Sequence, residues 1–112
     1  MANARRGEIA ATLAGRSFTL CLTLGSLAEL EHAFAVGDLT ALGARFASGR
    51  LSAEDLVRIV GIGLRGGGHA IADEEVRAWP AGCLPELAAA AGALLAATFG
   101  EPEQNPPEPQ AV

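Results

Sequence analysis

Six consecutive residues, Gly61-Ile62-Gly63-Leu64-Arg65-Gly66, match the G-x-G-x-x-G spacing of a dinucleotide-binding loop letter for letter. That spacing does chemistry only where the glycines turn a strand into the start of a helix, so that backbone amides meet a pyrophosphate. Here no strand precedes Gly61, and the glycines fall inside and at the end of a helix that starts near Ser52. Glu86 stands where the fingerprint asks for an acid, but without the strand it has nothing to complete. The motif reads as helix.

The other polar clusters are weaker still. His69 lies four residues before Asp73, so the two could share a metal, or His69 could act as a base. A metal site needs three or four ligands, and His32 is the sole other imidazole. A solvated histidine beside helix-start acids is the plainer reading. Glu54–Asp55 and Glu74–Glu75 are adjacent acids in first helical turns, where the helix dipole accounts for them better than acid–base catalysis in a cleft. Cys21 and Cys83 are not spaced as Cys-x-x-Cys, and neither has a partner that would activate a nucleophile. Buried thiols in a reducing cytosol are the default. The expectation is therefore no catalytic, cofactor-binding or metal-binding residue, and no enzyme. One functional reading survives: Arg65, Gly66, Gly67, Gly68 and His69 form a glycine loop that contacts a partner, since recognition favours loops on rigid scaffolds.

Composition narrows the classes further. The net charge is −5, of which Glu101, Glu103 and Glu108 supply −3, so ten acids face eight arginines over residues 1–99. No basic stripe emerges, which argues against nucleic acid as a partner. The chain has no tyrosine, four phenylalanines and one tryptophan, too few for a base-stacking platform. The opening MANARRGEIA has no apolar run that would mark export. The Ala-rich segment Leu84 to Phe99 reads as too short for a bilayer, which needs about 20 residues. No membrane partner is expected.

The elements that must carry these residues follow from periodicity. Residues 8–23 read as a hairpin: Ile9, Ala11 and Leu13 alternate with polar or small residues, and Phe18, Leu20 and Leu22 do so after an Ala14-Gly15-Arg16 turn. The Phe18/Leu20/Leu22 face should lie on helices, with Cys21 pointing away. Leu24, Leu27, Leu30, Ala33 and Phe34 then form one helical stripe, capped by Thr23 or Ser26 and ended by Gly37. Asp38 caps a short helix through Leu39, Leu42 and Phe46. Ser52-x-x-Asp55 is a capping-box variant, with Leu51 and Leu56 as a hydrophobic staple. Gly61 and Gly63 imply close approach of another element, such as the Ala-rich helix, and Gly66-Gly67-Gly68 stops this helix. Asp73-Glu74-Glu75 opens a short helix anchored by Val76 and Trp79, and Pro85 suits the first turn of the last one, with its stripe Leu87, Ala91, Leu94 and Thr98 and with Leu84, Leu95 and Phe99 alongside. Expected, then, is an α+β fold: an N-terminal two-stranded hairpin packed on about four helices. Residues 1–6 read as a flexible start, 7–99 as one domain, and the Pro-rich acidic stretch 100–112 as a disordered tail.

One family shares this layout. An Arg-Gly-Glu start to a hairpin, then FTLCLTLGSLAELEHAF, then RLSAEDLVRIVGIGLRGGGHAIADEEV, then an Ala/Leu helix ending in Phe-Gly resembles the gene transfer agent tail protein family. Leu27-Ala28-Glu29-Leu30-Glu31 and Leu64-Arg65-Gly66-Gly67-Gly68-His69 are its most specific parts, and the resemblance covers about residues 6–100. It implies a non-enzymatic protein of phage-like tail morphogenesis. In leading form it is a tail assembly chaperone acting on the tape measure or major tail protein, monomeric or weakly homodimeric. Its place is the bacterial cytoplasm, or the particle itself. The alternatives are a structural component of the tail tube, and a small regulatory or ligand-binding module unrelated to phage.

Overall fold

The computed structural model describes residues 7–100, so the expectations for residues 1–6 and for the tail from Glu101 onward lie outside the described residues. Strands β1 (Ile9–Leu13) and β2 (Arg16–Leu20) pair antiparallel, with Ala11 opposite Phe18 and Leu13 opposite Arg16. Five helices follow: α1 (Leu24–Ala33), α2 (Leu39–Ala47), α3 (Ala53–Gly66), α4 (Asp73–Arg77) and α5 (Leu84–Phe99), the last entered through a 3-10 turn at Ala81–Cys83. The expected α+β class holds.

The hairpin closes through two residues, Ala14 (φ 52°) and Gly15 (φ 80°). Positive φ at both positions is the type I′ turn, whose twist matches the strands it joins. Leu13, Phe18 and Leu20 are buried beneath it. Cys21 and Leu22 are both buried, where β2 has ended at Leu20 and the chain passes the end of α3.

The helix caps explain where each helix begins. The Thr23 side chain accepts from the Ser26 N–H, Asp38 accepts from the Ala41 N–H at 2.8 Å, and Ser52 with Asp55 completes a reciprocal capping box. Leu51 is half-buried and Leu56 buried, the two ends of the staple. The end of α1 differs from expectation. Ala35 (φ 55°), not Gly37, takes the left-handed position, and the N–H groups of Ala35 and Val36 return to the carbonyls of His32 and Glu31. That is a Schellman closure without glycine. Four residues expected on apolar faces are exposed: Leu24 by 85% and Leu39 by 47%, each the first residue of its helix, and Leu84 and Phe99 at the two ends of α5.

Helix α3 is the centre of the molecule. It packs on α1, α4, α5 and β2, and every residue from Leu56 to Leu64 except Arg58 is buried. Gly63 makes that possible, since a Cβ there would strike Leu94 of α5 and come within 3.3 Å of Leu20. Gly61 has a different reason, because its Cβ would strike the Asp73 carboxylate. Helix α5 buries Leu87, Ala90, Ala91 and Leu94. With the 3-10 turn it forms a 19-residue apolar segment, Ala81–Phe99, long and apolar enough by length and composition to cross a membrane, and only 28% buried. It is longer than the sequence reading allowed, because the 3-10 turn continues the helix.

Two predictions test this packing. Gly63→Ala should destabilise by about 1–3 kcal/mol despite better helix propensity, since overpacking outweighs it. Gly92→Ala in α5, where a Cβ meets nothing within 4 Å, should stabilise by about 0.5–1 kcal/mol; urea unfolding of both variants reads the contrast. The second concerns Asp55. Burial works against its charged form, but the hydrogen bonds from the Ser52 N–H and Arg45 outweigh this and hold its pKa below the ordinary carboxylate value. A lowered folded pKa gives stability that is complete above the unfolded value of about 4 and is lost as pH falls through the folded one. Asp55→Ala should therefore cost about 1 kcal/mol at neutral pH and flatten the acid limb of the stability profile.

Candidate functional site

The segment Arg65 to His69 closes α3, and each of its residues is held by a different contact. Gly68 (φ 98°) is the left-handed residue. Its N–H returns to the Arg65 carbonyl and the His69 N–H to the Leu64 carbonyl at 2.9 Å, a Schellman motif. Gly66 and Gly67 are not needed for φ. They are glycines because the backbone of the outgoing β2 strand lies against them: a Cβ on Gly66 would strike the Cys21 carbonyl, and one on Gly67 the Thr19 carbonyl.

The contact is also a hydrogen-bonded one. The Cys21 N–H donates to the Gly63 carbonyl at 3.0 Å, and the Thr19 N–H donates to His69 Nε2 at 3.3 Å. Both donors point outward from the hairpin, because in this register the inward groups belong to Arg16, Phe18 and Leu20. The end of α3 therefore closes the outer edge of β2. His69 also meets Phe18 edge-to-face at 5.0 Å, and Phe18 in turn stacks on Trp79 at 6.2 Å.

Arg65 turns the other way, toward α1 and α4. Its guanidinium donates to Asp73 (3.0 Å), to Glu29 (2.9 Å) and to the Ile71 carbonyl (2.9 Å). Burial disfavours its charge, but the hydrogen bonds to Asp73 and Glu29 prevail and raise its pKa above the ordinary value. A second arginine pair sits nearby. Arg77 grips Glu54 with two hydrogen bonds, and Arg58 joins Glu54 while donating to the Ala33 carbonyl. The Arg77 hydrogen bond, aided by Arg58, holds the Glu54 pKa below the carboxylate range against slight desolvation.

These side chains rim an open groove of about 480 Å3 between α1, α3 and α4, with Ala33, Ile62 and Ala72 among its lining. A smaller apolar groove of about 230 Å3 lies between Val57, Val76, Trp79 and Leu84. His69 and Asp73 are not brought together on a common ligand, since the first serves Thr19 and the second Arg65. Among the described residues no three His, Cys, Asp or Glu side chains are grouped for a metal. Gly61, Gly63 and Gly66 all lie within α3, so their amides are not gathered at a helix start. The five residues singled out as a recognition loop thus form one compact turn that joins the hairpin to the helices. Reading the sequence missed Glu29, Arg58 and Arg77, whose meeting depends on the angles between α1, α3 and α4.

Substitutions should separate the three glycine roles. Gly66→Ala and Gly67→Ala should each destabilise by about 2 kcal/mol or more, because backbone must move. Gly68→Ala, with open space but positive φ, should lose about 1 kcal/mol. Chemical denaturation of the three variants measures the order, and equal losses would refute it.

No curated protein and no solved structure matches the chain. A family match does: the profile described as phage tail tube protein, GTA-gp10, aligns with residues 6–101, which span all of the described residues. The chain belongs to this gene transfer agent and phage tail family.

Proposed function

We propose that the chain is a non-enzymatic assembly factor of a phage-like tail, a chaperone that holds the tape measure or major tail protein in the bacterial cytoplasm while the tail is built. The family supplies the tail. The observation that favours a chaperone over a wall subunit is the distribution of exposed apolar side chains. A ring subunit needs two different complementary faces, because identical chains close rings through heterologous contacts. The large exposed apolar residues here are Leu24, Leu39, Leu84 and Phe99, scattered over the starts of α1 and α2 and the two ends of α5. The charged groups argue in the same direction against catalysis. They are matched in ion pairs around Arg65 and Glu54 rather than converging on one reacting atom. In this reading the turn Arg65, Gly66, Gly67, Gly68 and His69 positions the groove, and Glu29, Arg58 and Arg77 present its polar rim to the partner.

A second reading, a subunit of the tail tube itself, is favoured by the family's own description. Mass spectrometry of purified particles from a producing strain, repeated with the gene deleted, separates the two. The expected result is loss of tails on deletion with the protein absent from wild-type particles. Stoichiometric presence in those particles would give the tube reading, and normal infective particles without the gene would overturn both.

A further inference from the structure

The two edges of the hairpin are treated differently. The outer edge of β2 is closed by α3, through the Thr19 and Cys21 N–H groups. On β1 the groups that point outward are those of Ala10 and Thr12, by the same register. Among the described residues neither backbone N–H has a hydrogen-bond partner, and both side chains are small and exposed. Lysine, proline or a bulge would blunt such an edge; this strand has none of them.

Helix α5 runs beside this edge in the opposite direction. Gly7 lies near the Ala97 carbonyl, and the Ala14 N–H donates to Glu86 at the other end. Its principal partners among the described elements are α3 and β1. Off its buried stripe of Leu87, Ala90, Ala91 and Leu94, Ala89, Ala93 and Ala96 recur at i, i+4 and i+7, with no charged residue between Glu86 and Phe99. Interpolating between the two ties puts Ala11 level with Ala91, midway between Ala89 and Ala93.

We propose that this β1/α5 flank is a self-pairing surface, on which a second copy of the chain docks about a two-fold axis through Ala11. Antiparallel pairing about that point sets Ala10 opposite Thr12 of the second copy and Thr12 opposite its Ala10. Both are the hydrogen-bonded kind of pair, so all the outward groups of the two residues are used. The same axis passes between Ala89 and Ala93, so the two α5 helices lie antiparallel with alanine against alanine. Small residues at that contact let helix axes approach to about 8 Å. The two Glu86 carboxylates fall at opposite ends. A foreign partner would have to supply a strand and a helix in this mutual orientation; a second copy supplies both by symmetry. The inference holds whether the chain leaves the tail or stays in it.

Sedimentation velocity on the full chain from about 1 μM to about 0.5 mM tests it. The expected result is a reversible dimer. Ala93→Glu, on an exposed position, should weaken it by at least about tenfold through juxtaposed like charges, with circular dichroism unchanged. Mixed Ala10→Cys and Thr12→Cys chains should form a disulfide-linked pair on mild oxidation faster than either chain alone. A monomer throughout the range would overturn the proposal, as would a dimer indifferent to Ala93→Glu. So would a monomer that gains mass only on adding the major tail or tape measure protein, which would assign the flank to that partner.

Discussion

The structure depends on one close contact, the crossing of the α3 carboxyl end by the backbone that leaves β2. An isolated two-stranded hairpin is marginal in water, and this one is fixed because its outer edge is finished by a helix terminus. A helix end leaves carbonyls without partners, and a strand edge leaves both N–H and carbonyl groups unpaired. Here the helix end meets the strand's deficit: the Gly63 carbonyl, which also accepts from the Gly67 N–H, receives the Cys21 N–H, and His69 Nε2 receives that of Thr19. The approach is possible only without side chains at Gly66 and Gly67. The glycine run is therefore a joint between the hairpin and the helices.

A second layer of constraint is ionic. Arg65 ties α3 to α1 and to the start of α4, while Glu54 holds Arg58 and Arg77 together. Exposed pairs of this kind each contribute little. Arg65 is different because its guanidinium is partly buried and also donates to the Ile71 carbonyl. The acids at the starts of α3 and α4 are thus partners of arginines as well as dipole-stabilising groups.

How much of this was legible follows from how local each signal is. The capping box at Ser52, the Asp38 cap and the hairpin depend on residues close together in the sequence, and all appear where the spacing places them. The Ala35 closure was missed because the rule looks for glycine, and alanine occupies the left-handed position at a modest steric cost. Leu24 and Leu39 have the right spacing, but at a first helical position the side chain can clear the core. Gly61 was expected to meet another element and does, yet that neighbour is Asp73, eight residues on from Arg65 and joined to it. The groove between α1, α3 and α4 was not legible at all. Its geometry is set by helix crossing angles, which no short-range pattern encodes.

The symmetry of contacts bears on whether such a chain can build a wall. An isologous contact uses the same patch on both copies and closes at two, whereas growth into a ring requires distinct faces. If β1 and α5 are occupied by their own copies, the sheet edge is consumed and no strand remains to propagate. The α1/α3/α4 side then offers a mosaic of paired arginines and acids rather than an apolar face. Paired charges of this kind set orientation and choice of partner more than they hold a permanent interface.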